Sequence, residues 1–240
     1  MFLQHFEPTT DLPDEPKEAL EKLFELVTIY LLKYYRNTGF TEHGFYSEQQ
    51  IKTYFTGALL DLSSGYTIQE YRVNRGYLDE ESNEKVYSNG AIDYWAFLDS
   101  NSYIIELKSY WARYYPQRDG GNYLTIYKDT FLRLNEGLSQ IDSIADKLAY
   151  RAGNELWGCS ICAAPIFVEL SSLSEYSEYP LMKYFKEGVT PKMADQKGVS
   201  WYLAEFGSQY LHESPKKDPS KKIVYPGIVY FSKVKRLRRN

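Results

Sequence analysis

The chain has few of the residues on which several familiar chemistries depend. It contains 2 Cys and 3 His in 240 residues. The histidines, His5, His43 and His212, are far apart in sequence and none belongs to a His-Glu-x-x-His spacing, which argues against a zinc hydrolase. Cys159 and Cys162 make a lone Cys-x-x-Cys inside the apolar run LWGCSICAAPIFVEL. A structural zinc site needs a second ligand pair, and a thioredoxin-like motif opens a helix rather than lying within a strand, so two buried, inert thiols are expected. No Gly-x-Ser-x-Gly element offers a hydrolase serine, and no P-loop pattern surrounds Gly120 and Gly121, which suggest local mobility instead. No apolar run approaches the ~20 residues of a membrane span. The start, MFLQHFEPTTDLPDEP, lacks the basic and apolar regions of a signal peptide. The expectation is a soluble cytoplasmic protein with no membrane partner.

What is present is an ordinary globular composition, 43% apolar and 25% charged, in a chain long enough to bury one full core. Aromatics are abundant, with 24 Tyr, more than a core alone needs; tyrosine suits core edges, grooves and interfaces, where its hydroxyl stays wet. Net charge is −4 but uneven. Nine of the 28 basic residues and one of the 32 acidic residues lie from Lys216 onward, so that segment carries +8 and the rest −12. Such a tail could lie on phosphates or simply be a solvated terminus.

With no internal repeat or low-complexity linker, a single domain over 1–240 is expected. Leu20, Leu23, Phe24, Val27 and Leu31 recur at helical spacing, with Asp14 as a cap. Ser47 followed by Gln50 fits a capping box ahead of Ile51, Tyr54, Phe55 and Leu59. Strands are expected from Tyr66, Ala91 and Ser102, with the polar NRGYLDEESNEKVYSNG as a loop and DSNS as a turn. A helix follows, presenting Phe131, Leu134, Leu138, Ile141, Ile144 and Leu148 on one face. The run from Leu156 reads as a central strand, WYLAEFGSQYL as a helix, and KIVYPGIVYFS as a strand whose Pro226 marks an edge or a bulge. The fold class is α/β, a mixed sheet flanked by helices.

Two of these apolar strands carry charges, Asp93 in one and Glu106 with Lys108 in the other. Buried charges are costly unless paired, metal-bound or catalytic. A hairpin centred between Ser100 and Asn101 sets Asp93 opposite Lys108 and Trp95 opposite Glu106, so that Asp93, Glu106 and Lys108 share a face. Asp93 and Glu106 are then diagonal neighbours with Cα atoms roughly 7 to 8 Å apart, near enough to converge on one cation. Two carboxylates suit a hard cation such as Mg²⁺, whose retained water can become a nucleophile beside an ammonium. The same residues would equally make a cross-strand ion pair of Asp93 with Lys108, Glu106 pointing into a wet sheet end.

Asp93, twelve intervening residues, then Glu106-Leu107-Lys108 in an apolar strand resembles the PD-(D/E)XK nuclease superfamily. The helix, three-strand meander, helix, strand order over 47 to about 170 resembles its core, the restriction-endonuclease-like fold. The resemblance leaves out the first helix and the C-terminal 70 residues. It implies a metal-dependent phosphodiesterase in which Asp93, Glu106 and the Leu107 carbonyl hold Mg²⁺ or Mn²⁺ and Lys108 is catalytic. Many members add a Glu from the preceding helix, which Glu48 would supply, with Glu70 as the fallback; a first-turn Glu also suits a helix dipole. Gln140 matches a helix glutamine found in some branches, but Ile144 stands where exonuclease-like members carry Tyr. Ile92 replaces the motif's leading Pro.

The basic and aromatic segment SYWARYYPQRDGGNY offers Arg113 and Arg118 to phosphates and tyrosines to bases, or else packs on the fold. Lys235 and Arg236 in the tail are the other nucleic-acid candidates. The partner expected is nucleic acid, DNA ahead of RNA, cut by an endonuclease of restriction or defence type that could act as a homodimer. The competing expectations are an RNA-cleaving member and a non-catalytic module that keeps the fold for binding.

Overall fold

The computed structural model describes residues 2–6, 14–38, 47–78, 85–114, 123–148, 155–170, 181–184, 198–206, 214–215 and 222–237. Two helices pack together on one face of a sheet. In α1 (Asp14–Thr38) the spaced Leu20, Leu23, Phe24, Val27 and Leu31 are all buried. The α2 helix (Glu48–Leu62) starts at the capping box that its sequence encodes: the Gln50 N–H donates to Ser47 Oγ at 3.3 Å and the Ser47 N–H donates to Gln50 Oε1 at 3.0 Å. That box fixes where the first turn begins, and so where Glu48 stands.

The strands β1 (Phe2–Phe6), β2 (Thr67–Leu78), β3 (Lys85–Leu98), β4 (Asn101–Ser109), β6 (Leu156–Leu170), β7 (Val199–Glu205) and β9 (Lys222–Arg236) form one sheet in the order β1-β7-β9-β6-β4-β3-β2. Short β5 (Ala112–Tyr114) pairs with β6, and β8 (Ser214–Pro215) with β9. Neighbours are antiparallel except at β6, which runs parallel to β4 and β5. A parallel pair needs a crossover, and α3 (Tyr123–Leu148) supplies it on the face opposite α1 and α2. A one-turn helix, α4 (Leu181–Tyr184), buries Leu181 beside β7. The result is a mixed α/β fold.

Several expectations are corrected. The WYLAEFGSQYL segment is strand β7 rather than a helix; residues 199–204 are buried without alternation, a pattern that periodicity cannot separate from a buried helix. Much of the polar insert before Ala91 is ladder, from Asn74 paired with Asn89 to Leu78 paired with Lys85. Pro226 lies at a register shift in β9, opposite the step from Ile166 to Val168, but β9 is a central strand and not an edge. Tyr94, Tyr103, Tyr202 and Tyr230 are buried in the core, whereas Tyr34 and Tyr66 are exposed. Phe24 stacks on Tyr230 at 4.6 Å, and the Tyr230 hydroxyl lies 2.9 Å from Thr28 Oγ1, so the ring's polar end is satisfied inside.

The hairpin of β3 and β4 turns on Asp99 and Ser100, with φ of 47° and 71°. Two left-handed residues make the type I′ turn whose twist matches the strands. Asn101 is thereby drawn into β4, and Trp95 pairs with Ile104 rather than Glu106. The pairing differs from the expected one by two residues, an even step. The faces therefore survive over the paired residues, and the register points Asp93, just past the last pair, toward the level of Glu106 instead of Lys108.

Candidate functional site

The paired ladder between β3 and β4 ends at Tyr94 with Ile105. Beyond it the Asp93 side chain takes the place of backbone: Oδ2 accepts the Leu107 N–H at 2.8 Å. On the other flank of β3, Gln69 pairs with Tyr94 and Tyr71 with Ile92, and Glu70 between them has φ 51°. A left-handed Glu inside a strand is strained and calls for a compensating role in the surroundings. The consequence is visible in the core. Tyr94 packs with the α1 and α2 residues, yet Ile92, two residues away, packs with Ile141 and Ile144 of α3. A regular strand keeps such residues on one face, so β3 turns over at Asp93 and sets its carboxylate into the gap between strands.

That gap is reached from both sides of the sheet. From α2, Lys52 Nζ lies 2.7 Å from Asp93 Oδ1 and 3.3 Å from Glu48 Oε1, one helical turn away. Burial pulls the Lys52 ammonium down, but its two carboxylate partners outweigh that and hold it above its ordinary value. The helix is fixed to the strand beside the site as well. The Tyr94 hydroxyl donates to the Lys52 carbonyl at 2.8 Å and lies 3.3 Å from Thr56 Oγ1. Burial pushes that phenol well up, so it stays a donor.

From α3, Gln140 Oε1 accepts a hydrogen bond from Lys108 Nζ at 2.8 Å, and Lys108 lies 3.6 Å from Glu106 Oε2. Glu106 is 2% exposed, and a carboxylate so deeply buried is costly unless it is paired. The helix comes this close because Gly137 has no side chain: a Cβ there would stand 2.1 Å from Ser160 Oγ and 3.4 Å from the Glu106 Cβ.

Two groups result, Asp93 with Lys52 and Glu48 of α2, and Glu106 with Lys108 and Gln140 of α3, joined at Leu107, whose N–H donates to Asp93. Glu70 is exposed on the end strand of the sheet. Arg113 is in β5 with its side chain outside the described residues, and Arg118 lies outside them altogether. Lys235 and Arg236 are in β9 rather than in a tail, ion-paired with Asp142 and Glu155. Lys52 went unnoticed in the sequence, although its spacing from Glu48 was the signal for it. Cys159 and Cys162 are buried free thiols, as expected.

The donors suit a hard cation. In an extended strand the N–H and C=O of one residue point the same way, so the Leu107 carbonyl is directed with its N–H toward Asp93. Asp93, Glu106 and that carbonyl are all oxygen donors, the type that a water-retaining Mg²⁺ or Mn²⁺ takes. Among the described residues no group of three His, Cys, Asp or Glu side chains forms a metal cage. Among these residues no helix is long and apolar enough to cross a membrane. No family model matches the chain, and no curated protein does.

Proposed function

We propose that the protein is a metal-dependent nuclease of PD-(D/E)XK type, with a restriction-endonuclease-like core, hydrolysing phosphodiester bonds in DNA as an endonuclease of restriction or defence kind. One observation carries this reading: where β3 and β4 part, Asp93 accepts the N–H of Leu107, the residue between Glu106 and Lys108, with Lys52 of α2 and, through it, Glu48 on Asp93 and Gln140 of α3 on Lys108. The order α2, β2-β3-β4 meander, α3, then β6 parallel to β4 supports it.

Asp93, Glu106 and the Leu107 carbonyl would hold the Mg²⁺ or Mn²⁺ ion. Bound there, such an ion acidifies a coordinated water and offsets charge on the phosphoryl oxygen. Gln140 aims the Lys108 ammonium by accepting one of its protons, leaving others to donate to the attacking water or a phosphoryl oxygen. Glu106, packed under α3, pairs with that ammonium and shields its inner side from bulk water. RNA offers the same phosphodiester, and a homodimer would carry two such sites to two strands.

The test is cleavage of single- and double-stranded DNA and RNA with Mg²⁺ or Mn²⁺, with EDTA and Lys108→Ala as controls. The expected result is metal-dependent cutting, lowered by about 10²- to 10³-fold or more in Lys108→Ala, with the variant's circular dichroism unchanged. Undiminished cutting by that variant would sink the assigned mechanism. A second reading, a non-catalytic binding module, is favoured by the lysine already seated on Asp93; nucleic-acid binding without cutting under any metal would select it.

A further inference from the structure

Lys52 is an unusual neighbour for a metal ligand. Asp93 has two oxygens, of which Oδ2 is committed to the Leu107 N–H and Oδ1 to Lys52 Nζ at 2.7 Å. The same ammonium binds Glu48 and is largely buried, its side chain 13% exposed. Tyr94 grips the Lys52 backbone from the residue next to Asp93 in β3. Two adjacent strand residues thus hold one lysine by its main chain and by its charge, which is not how a solvated surface lysine is held.

We propose that Lys52 is the resident counter-ion of this site, and that a divalent cation loads onto Asp93 only by displacing its ammonium. The inference rests on the site being a metal site. Glu48 and Asp93 face Lys52, and Glu106 faces Lys108. Without Lys52, Glu48 and Asp93 would carry a net charge matching one divalent ion; with Lys52 in place, ion and ammonium repel across Asp93. A four-carbon stem lets the ammonium swing aside while the backbone stays clamped. The lysine therefore keeps the carboxylates ordered when no metal is bound and sets a threshold on the metal concentration at which the site fills.

Mn²⁺ titration of the full chain by calorimetry and electron paramagnetic resonance, without nucleic acid, tests this in wild type, Lys52→Met and each combined with Asp93→Asn. Lys52→Met is expected to bind Mn²⁺ on the order of tenfold tighter or more, as one removed repulsive charge implies, with Asp93→Asn abolishing the gain. Binding by Lys52→Met alone, wild type being too weak to measure, would support the proposal equally. Equal or weaker binding in Lys52→Met, no binding in either, or a gain that survives Asp93→Asn would overturn the proposal. If Lys52→Met loses its helical signal, Lys52→Gln takes its place and is read the same way. Cleavage is read separately: tighter Mn²⁺ binding without cutting would sink the nuclease reading alone, and cutting with unchanged Mn²⁺ affinity would sink the Lys52 role alone.

Discussion

At the scale of single residues, burial decides chemistry. Cys159 packs with the α1 and α2 core and Cys162 with the cluster containing Leu134 of α3, so a Cys-x-x-Cys spacing in a strand sends the two thiols to opposite faces. They cannot meet. Burial pushes Cys162 from 9.0 up to about 12 and Cys159 higher still. Native protein should therefore resist Ellman's reagent at pH 8 and release two thiols in guanidinium; rapid labelling of the native state would contradict this burial. The linkage sign follows. A thiol held neutral in the fold contributes stability that is fully present below pH 9 and lost as pH climbs through about 12, so urea midpoints should fall across that window.

At the scale of elements, two local geometries set the site. The type I′ turn at Asp99 and Ser100 fixes which residue faces which, and it does so with Ser100 at φ 71°. Glycine tolerates that conformation better than serine, so Ser100→Gly should raise stability by up to about 1 kcal/mol in chemical denaturation. A loss of stability would mean that the hydroxyl matters more than the backbone. In α3, Gly137 sets the distance to the sheet. Gly137→Ala should cost about 1–3 kcal/mol by overpacking and loosen the Gln140 hold on Lys108. Because the first atom met is the Ser160 hydroxyl, buried and without a hydrogen-bond partner among the described residues, adding Ser160→Ala should recover part of that loss. Strictly additive effects in a double-mutant cycle would show that the two residues do not press on each other.

At the scale of the whole molecule, Lys233, Lys235 and Arg236 near the basic end of the chain belong to a strand of the sheet. Residues 222–236 form a central strand between β6 and β7, and Lys235 and Arg236 are opposite Gly158 and Trp157 of β6. Deleting residues 233–240 should therefore unfold or severely destabilise the protein rather than merely weaken phosphate binding, a difference that thermal melting of the truncated chain would reveal. A truncated protein that melts like the full chain would make these residues an appendage after all. The ion pairs of Lys235 with Asp142 and Arg236 with Glu155 join this strand to α3 and to the start of β6.

The sequence by itself determined the helices with one apolar stripe, the capped start of α2, the meander around Asp93 and Glu106, and the shared face of Glu106 and Lys108. Each follows from short-range rules: a period, a cap, an alternation. Only the tertiary structure decided the rest. It made β7 a strand, because a run buried on both sides carries no period to read. It turned β3 over at Asp93, because the strain at Glu70 and the side-chain bond to Leu107 exist only once neighbouring strands are paired. It brought Lys52 to Asp93, because residues 41 positions apart are joined by helix packing and a tyrosine hydroxyl, which no local pattern encodes.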